Sequence, residues 1–415
     1  MNSQNVLYVL ISFPETSETF IAEEIAALHA EGCAISILCM QSATAPGNHA
    51  ISRQVLENSP LRVLDIEGKG QIVRALITAL LKRPRLFLPG LLRWLRLGQK
   101  RWIGTRVLTE LPALLREDYS GICVHFAARN LVAATTLSGF TGIPVSVTTH
   151  RFDIIDDPLP PSVARAEFHK CANIITISEA NRELMQAKYG LSREQIQVLR
   201  CGIRTAFFSP PEASKAQEGS ESPRTLKLVT IGRLEKVKAQ QHLIVALGHL
   251  VQSGRQAHLT IIGEGPERAR LERLIREYEL EPNVTLTGSL PQDEVQRTLS
   301  ESDLYLSTSE SEGIPISCME AMAMQLPIVA FTLPGLEELL RHRDCGLLVD
   351  QGDAPALADG IASLAADVPR LQSMGRAARE EILENYDRTK NAQVLKRLLA
   401  NVDPHCHSRS GGPRD

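Results

Sequence analysis

The chain has 415 residues, 43% of them hydrophobic and 22% charged, with a net charge of −3. That is enough apolar material for two separate cores, which excludes a disordered chain, and the charge balance gives no overall attraction to nucleic acid. Eight cysteines scattered at 33, 39, 123, 171, 201, 318, 345 and 406 show no Cys-x-x-Cys spacing. This argues against a disulfide framework or structural zinc and for reduced, cytosolic thiols.

Asn2 to Asn5 lead directly into the apolar run Val6 to Ile11, so no secretion signal is expected. No run reaches the ~20 apolar residues that cross a bilayer. Short apolar runs then alternate with amphipathic runs of helix length, the pattern of an α/β protein whose parallel sheets are covered by helices. In the first half, strands are predicted at 6–11, 34–40, 121–126, 144–149, 173–177 and 196–199. Phe20, Ile21, Ile25 and Leu28 supply the apolar stripe of the first helix, with Ser17 placed to cap it.

Residues 71–106 form a contrasting block, with nine Lys or Arg, no acidic residue, and both tryptophans, Trp94 and Trp102. Ile72, Val73, Leu76, Ile77, Leu80 and Leu81 make one helical stripe, and Leu88, Leu91, Leu92 and Leu95 make another after Pro84. Two readings stand side by side: a basic amphipathic surface for an anionic membrane, or a domain helix pair with a solvated basic face. Further on, strand 144–149 ends at His150, a position where a lone histidine is usually structural.

Residues 206–224, rich in Pro, Ser, Glu and Ala, are predicted to be a linker. A second series follows, with strands at 226–231, 258–262, 283–287, 303–307, 326–331 and 347–349 and helices near 239–252, 266–279, 292–300, 315–324, 334–342 and 354–366. Two doubly wound domains result, and ligands of such sheets bind at the C-terminal ends of the strands. Neither domain has a Gly-x-Gly-x-x-Gly turn after its first strand, which weakens any nicotinamide or flavin reading. Gly263–Glu264–Gly265–Pro266 reads as a plain strand-to-helix connection.

The richest stretch runs from Ser307 to Glu320. Gly313 permits a tight turn, and Pro315 suits the first helical position, where a missing N–H costs nothing. The free N–H groups of that helix favour a pyrophosphate, while Glu312 and Glu320 can accept hydrogen bonds from sugar hydroxyls. Arg233 and Lys238, in the turn after strand 226–231, can neutralise a diphosphate through a planar fork and a mobile point charge. No Asp-x-Asp pair offers a divalent cation its usual oxygen ligands, so neither metal nor cofactor is expected beside a nucleotide-diphosphate sugar. Paired carboxylates also serve glycoside hydrolysis, but a helix N-terminus and a cationic pair reward a departing diphosphate instead.

Glu312 to Glu320, the Gly-Arg-Leu turn with Lys238, Ile262 to Pro266, Asn283–Val284 with Gly288, and Ser302–Asp303 occur together in an order that resembles family 4 of the retaining glycosyltransferases. That resemblance covers nearly the whole chain and implies the GT-B architecture, two facing Rossmann-like doubly wound parallel-sheet domains. It implies that Glu320 holds the nucleotide ribose, Glu312 contacts the donor sugar, Arg233 and Lys238 bind the diphosphate, and backbone at Gly313, Ile314 and Pro315 meets sugar and phosphate. His150, in Thr149–His150–Arg151–Phe152–Asp153, matches the family's His-Gly-x-Asp segment and would stand beside the donor sugar, with Arg151 in place of glycine. Cys201–Gly202–Ile203–Arg204 replaces an Asn-Gly-x-Asp segment, and Ala239 replaces a glycine. His125, in His125–Phe126–Ala127, also echoes the family, alongside a packing or hydrogen-bonding role. The loop Phe13–Pro14–Glu15–Thr16–Ser17–Glu18–Thr19–Phe20 looks like that of the colanic-acid and amylovoran-type enzymes, with Ser17 and Glu18 as acceptor contacts.

The expected layout is an acceptor domain over 1–205 completed by a C-terminal helix at 387–400, a linker at 206–224, a donor domain over 225–384, and a disordered tail at 401–415. The expected activity is retaining, metal-independent transfer of a sugar from a nucleotide sugar to an exopolysaccharide or lipopolysaccharide acceptor, lipid-linked, at the cytoplasmic face of the plasma membrane. Nucleotide-sugar hydrolysis or epimerisation, and a catalytically silent polysaccharide-binding scaffold, are the alternatives.

Overall fold

A computed structural model of the chain describes residues 4–15, 19–43, 50–64, 69–98, 101–155, 159–211 and 225–400. The chain divides into two compact units, residues 1–201 with 389–415, and residues 202–388. Ser17 and Glu18, most of the linker (212–224) and the tail 401–415 lie outside the described residues.

The first unit holds a seven-stranded sheet of β1 (Asn5–Leu10), β2 (Ala34–Cys39), β3 (Leu61–Val63), β4 (Gly121–His125), β5 (Val145–Thr149), β6 (Asn173–Thr176) and β7 (Ile196–Val198). The order is β3-β2-β1-β4-β5-β6-β7, with every pair parallel. Period-two alternation along β1 sends Leu7 and Val9 to one buried face and Val6, Tyr8 and Leu10 to the other. The second face is covered by Ile21, Ala22, Ile25 and Leu28 of the helix Thr19–Ala30 and by Ala392, Leu395 and Leu399 of the C-terminal helix Arg388–Ala400. Strand β3 was not expected from sequence, since its three residues lie at the sheet edge with Leu61 and Val63 exposed and leave no burial pattern to read.

The second unit is a six-stranded parallel sheet of β8 (Leu226–Ile231), β9 (Ala257–Ile262), β10 (Val284–Gly288), β11 (Leu304–Ser307), β12 (Ile328–Phe331) and β13 (Gly346–Val349), ordered β10-β9-β8-β11-β12-β13. The order reverses between β8 and β11, so the loops after these two strands flank the switch point where open sheets take ligands. The helix Val368–Asn385, absent from the sequence reading, buries Met374, Ala378 and Ile382.

Residues 202–211 belong with the second unit, whereas composition divided them between the first domain and the linker. The reason is apolar. Phe208 is buried, Phe207 packs edge-on against it at 5.0 Å, and their carbonyls accept hydrogen bonds from Gln296 Nε2 (2.6 Å) and Arg379 Nη1 (3.0 Å). Among the described residues no helix is long and apolar enough to cross a membrane.

Candidate functional site

In the second unit the β8 turn, Gly232 to Leu234, is braced by the turn after β9. Gly232 N donates to Ile262 O (3.0 Å), Leu234 N to Glu264 O (2.9 Å) and Glu267 N to Leu234 O (3.0 Å). Such close backbone approach requires glycine on the bracing side. Gly263 (φ +147°) and Gly265 (φ +159°) would place a Cβ 2.0 Å from Gly232 O and 2.4 Å from Leu234 O. The Gly263–Gly265 pair therefore does more than connect a strand to a helix; it sets the turn that carries Arg233.

Past that turn, a single 3₁₀ turn spans Lys236–Lys238, and Ala239 follows with left-handed φ +48°. Alanine tolerates this poorly by itself, so the conformation is held from outside: Thr308 Oγ1 donates to the Ala239 carbonyl (3.0 Å) and to that of Lys238 (3.2 Å). Glu310 N also donates to Val237 O at 2.8 Å. The β8 and β11 loops are thus stitched together, and Lys238 Nζ donates to Glu312 Oε1, which also accepts from Ser309 Oγ at 3.1 Å. Both members of this ion pair are partly buried. Arg233, by contrast, keeps 70% of its side chain exposed and pairs only locally with Glu235 at 2.6 Å.

The helix after the β11 loop spans Ile316–Ala323, and Pro315 is its N-cap with extended backbone. Sequence placed Pro315 one position later, as the first helical residue; at the cap its ring still costs no hydrogen bond. Gly313, Ile314 and Pro315 thus form the approach to the helix start, with Ile314 and Pro315 buried. The loop is seated by a neighbour the sequence did not flag, Gly335 of the turn after β12, where a Cβ would fall 1.8 Å from Gly313 O. Tyr305 of β11 is fully buried, and its hydroxyl links the Ile231 backbone to Ser317 Oγ (2.8 Å) in the first turn of that helix.

Glu320 lies on the same helix, one turn beyond Ile316. Burial pushes its carboxyl up to about 7, and the Arg204 charge acts in the opposite direction. Arg204 was read from sequence only as a departure from a family segment. In the structure its guanidinium stacks over Phe207 at 4.7 Å and bonds to Gln292. Its charge is the one that favours the ionised form of the candidate ribose carboxylate. The signal available was a positive charge standing where the family carries an acidic residue.

In the first unit, His150 ends β5 with 7% exposure, its ring enclosed by Phe20 and Phe126 at centroid distances of 4.9 and 4.6 Å. His150 Nε2 lies 3.1 Å from His125 Nδ1, His125 Nε2 lies 2.8 Å from Glu24 Oε1, and Tyr8 Oη donates to the same oxygen at 2.7 Å. Burial opposes ionisation of Glu24, but the charge and hydrogen bonds of His125 and Tyr8 outweigh it and hold the carboxyl below the usual range. An ionised Glu24 only accepts, so His125 Nε2 carries a proton toward it, and a second proton lies between His125 Nδ1 and His150 Nε2. Burial, reinforced by His125, pushes His150 well below the ordinary histidine range, so it is neutral at physiological pH.

Asp153, buried at the next turn, accepts from the backbone N–H of His150 and of Ala127, both at 2.6 Å. Burial pushes its carboxyl up to about 7 against the pull of those donors. Phe126, between His125 and Ala127, has a left-handed φ of +68°. Arg151 opens the short helix Arg151–Ile155 with ordinary backbone, so no glycine is needed there. Glu24 escaped the sequence reading because its partner is 101 residues away.

Comparison with known proteins matches both units. A family model described as "Glycosyltransferase Family 4" matches residues 17–207, and one described as "Glycosyl transferases group 1" matches residues 212–381. The putative colanic acid biosynthesis glycosyltransferase of Escherichia coli is 28% identical across 95% of this chain and 98% of its own length. The amylovoran biosynthesis glycosyltransferase of Erwinia amylovora is 28% identical across 94% of this chain and 99% of its own. Among solved structures, Anabaena HepE in complex with UDP superposes with a TM-score of 0.71 at 20% identity, covering 96% of this chain and 100% of that one. Sucrose-phosphate synthase from Thermosynechococcus elongatus gives 0.70 at 17% identity, over 95% and 98%. These likenesses fix the fold as GT-B.

Proposed function

The chain belongs to glycosyltransferase family 4, and from that premise we propose that it moves a hexose from a nucleoside-diphosphate sugar onto a growing, lipid-linked exopolysaccharide or lipopolysaccharide unit, with retention and without a metal. The observation that carries this reading is the Lys238–Glu312 ion pair in the loop system that leads into the helix Ile316–Ala323. A cation, a carboxylate and unpaired helix N–H groups lie within one loop system, the combination that suits a diphosphate bearing a polyhydroxylated sugar. Donor binding would draw Lys238 onto the diphosphate beside Arg233 and free Glu312 for sugar hydroxyls. Glu320 would accept from the ribose, and backbone at Gly313, Ile314 and Pro315 would line the path between them.

In the transfer step the bond from the anomeric carbon to the diphosphate oxygen breaks, its electron pair leaving with the nucleotide. The acceptor hydroxyl oxygen bonds to that carbon on the same face, and its proton passes to the departing phosphate. Lys238, Arg233 and the helix N–H groups stabilise the charge that grows on the leaving group. His150, neutral, shares a hydrogen bond with a sugar hydroxyl. Ser17 and Glu18 are assigned to the acceptor. The names of the relatives support an exopolysaccharide product, and the UDP in the HepE structure makes a UDP-sugar the first donor to test. The reading places the protein at the inner face of the plasma membrane.

Thermal-shift screening of nucleotide sugars, followed by mass spectrometry and anomeric NMR of the product, tests this reading. Lys238→Ala is expected to lower kcat/KM by roughly 10²- to 10³-fold, as for loss of one group stabilising a developing charge. Sugar transfer that survives both Lys238→Ala and Glu320→Ala would overturn the site.

A further inference from the structure

The helices Lys69–Lys82 and Pro84–Leu95 of the first unit carry apolar side chains on two faces. One meets the core: Ala75 and Ala79 are buried, Ile72, Leu76, Phe87, Leu91 and Trp94 pack against it, and a Cβ on Gly90 would lie 2.8 Å from Gly139 O of the helix Arg129–Thr141. The other faces water. Val73, Ile77, Leu80 and Leu81 follow one another at helical spacing on the first helix, with Leu81 76% exposed, and Leu88, Leu92 and Leu95 do so on the second, with Leu88 59% exposed. Seven of the ten apolar stripe residues read from sequence are therefore at the surface, and Trp102 is exposed as well. The same block carries nine Lys or Arg and no acidic residue within residues 71–106, in a chain whose net charge is −3.

Beside this face is a cavity of about 850 Å³ whose walls include Pro89, Leu92, Arg93, Arg96, Val163 and Lys170. Leu92 and Arg96 are shared between the cavity and the exposed helix face, so the two surfaces are continuous. Arg93 sits half-buried, its guanidinium partly stripped of water, with Glu167 the carboxylate that counters it. Glu167 is already engaged, accepting from Lys170 Nζ at 2.6 Å and Thr135 Oγ1 at 2.5 Å. Three cations against one committed carboxylate leave the cavity positive, while its proline, leucine and valine walls suit an acyl or glycerol segment.

We infer that this helix face lies on an anionic bilayer and that the cavity bounded by Arg93, Arg96 and Lys170 takes the phosphate of an anionic phospholipid headgroup. The inference rests on the reading that the protein works at a membrane surface. It goes beyond that reading by naming the contact face and a headgroup site.

The test is flotation of the full chain at low salt with vesicles of equal parts phosphatidylglycerol and phosphatidylcholine, and with phosphatidylcholine alone. The wild type should float with the mixed vesicles only, and Ile77→Glu with Leu81→Glu should weaken flotation by about tenfold or more. Arg93→Gln with Arg96→Gln should abolish the preference for phosphatidylglycerol and the saturable heat of a short-chain phosphatidylglycerol titration, with the melting temperature checked for folding. Failure of the wild type to float overturns the membrane reading and the inference together. Flotation and saturable uptake that survive the arginine changes overturn the headgroup site alone. A dimer that Leu81→Glu converts to a monomer would give the face to a second copy of the chain and overturn the bilayer assignment.

Discussion

In the first unit, His150 is enclosed by two aromatic rings and fixed through His125 to Glu24 and Tyr8, four side chains in one buried or half-buried line. In the second, Arg233 is 70% exposed and Lys238 answers to a single carboxylate, while the backbone beneath them is fixed by glycine contacts and cross-loop hydrogen bonds. One region fixes its side chains through a buried network; the other fixes its main chain and holds each of its two cations by one ion pair, Arg233 with most of its side chain in solvent. The difference suits the proposed tasks. A neutral hydrogen-bonding ring gains from fixed orientation, whereas cations that must follow a departing diphosphate gain from reach.

The comparison breaks most readily at Gly335. Gly335→Ala drives a methyl into Gly313 O and has nowhere to go, so we expect a loss of roughly 2 to 3 kcal/mol in stability. Donor-induced thermal stabilisation should vanish as the β11 loop shifts. A melting temperature and donor shift equal to wild type would mean that the second site does not depend on its main-chain frame.

On the other side, Glu24→Gln removes the charge that fixes His125 while keeping the volume. We expect a cost of about 1 to 3 kcal/mol from a buried polar network left mispaired. Steady-state kinetics should show kcat falling about tenfold with the donor KM little changed. An unchanged kcat in a folded variant would reduce the network to packing.

The effect of pH on Glu320 is graded rather than all-or-none. Its carboxyl titrates near 4.5 when unfolded and near 7 when folded, so the native state binds the extra proton between these values. Wild-type stability therefore loses up to roughly 3 kcal/mol as pH rises through that window. Glu320→Gln should gain stability relative to wild type from pH 4.5 to 7.5, and a constant difference in melting temperature would contradict this. Donor affinity in the wild type should improve over the same rise, because the ionised carboxylate accepts more hydrogen bonds.

Much of this was legible in the sequence because strand-length apolar runs and the Glu312–Glu320 spacing are local signals. The alternation gave both sheets, and the turns after β8 and β11 announced their charged residues. What could not be read were relations between distant segments: Glu24 bonded to His125, Gly335 seated under Gly313, and the Arg204 charge acting on Glu320. Local pattern left the helix Lys69–Lys82 undecided, because its apolar stripe is divided: Ile72 and Leu76 pack against the core while Val73, Ile77, Leu80 and Leu81 are exposed. Strand β3 failed for the opposite reason, being too short and too exposed to carry a pattern.

Phe126 shows what such distant contacts accomplish together. Its left-handed backbone is unfavourable for a bulky residue, yet the neighbour on one side is tethered through its ring to Glu24 and the neighbour on the other through its amide to Asp153. With both flanks pinned the strain has no route of escape, and the aromatic ring stays pressed on His150 like the tongue of a sprung latch.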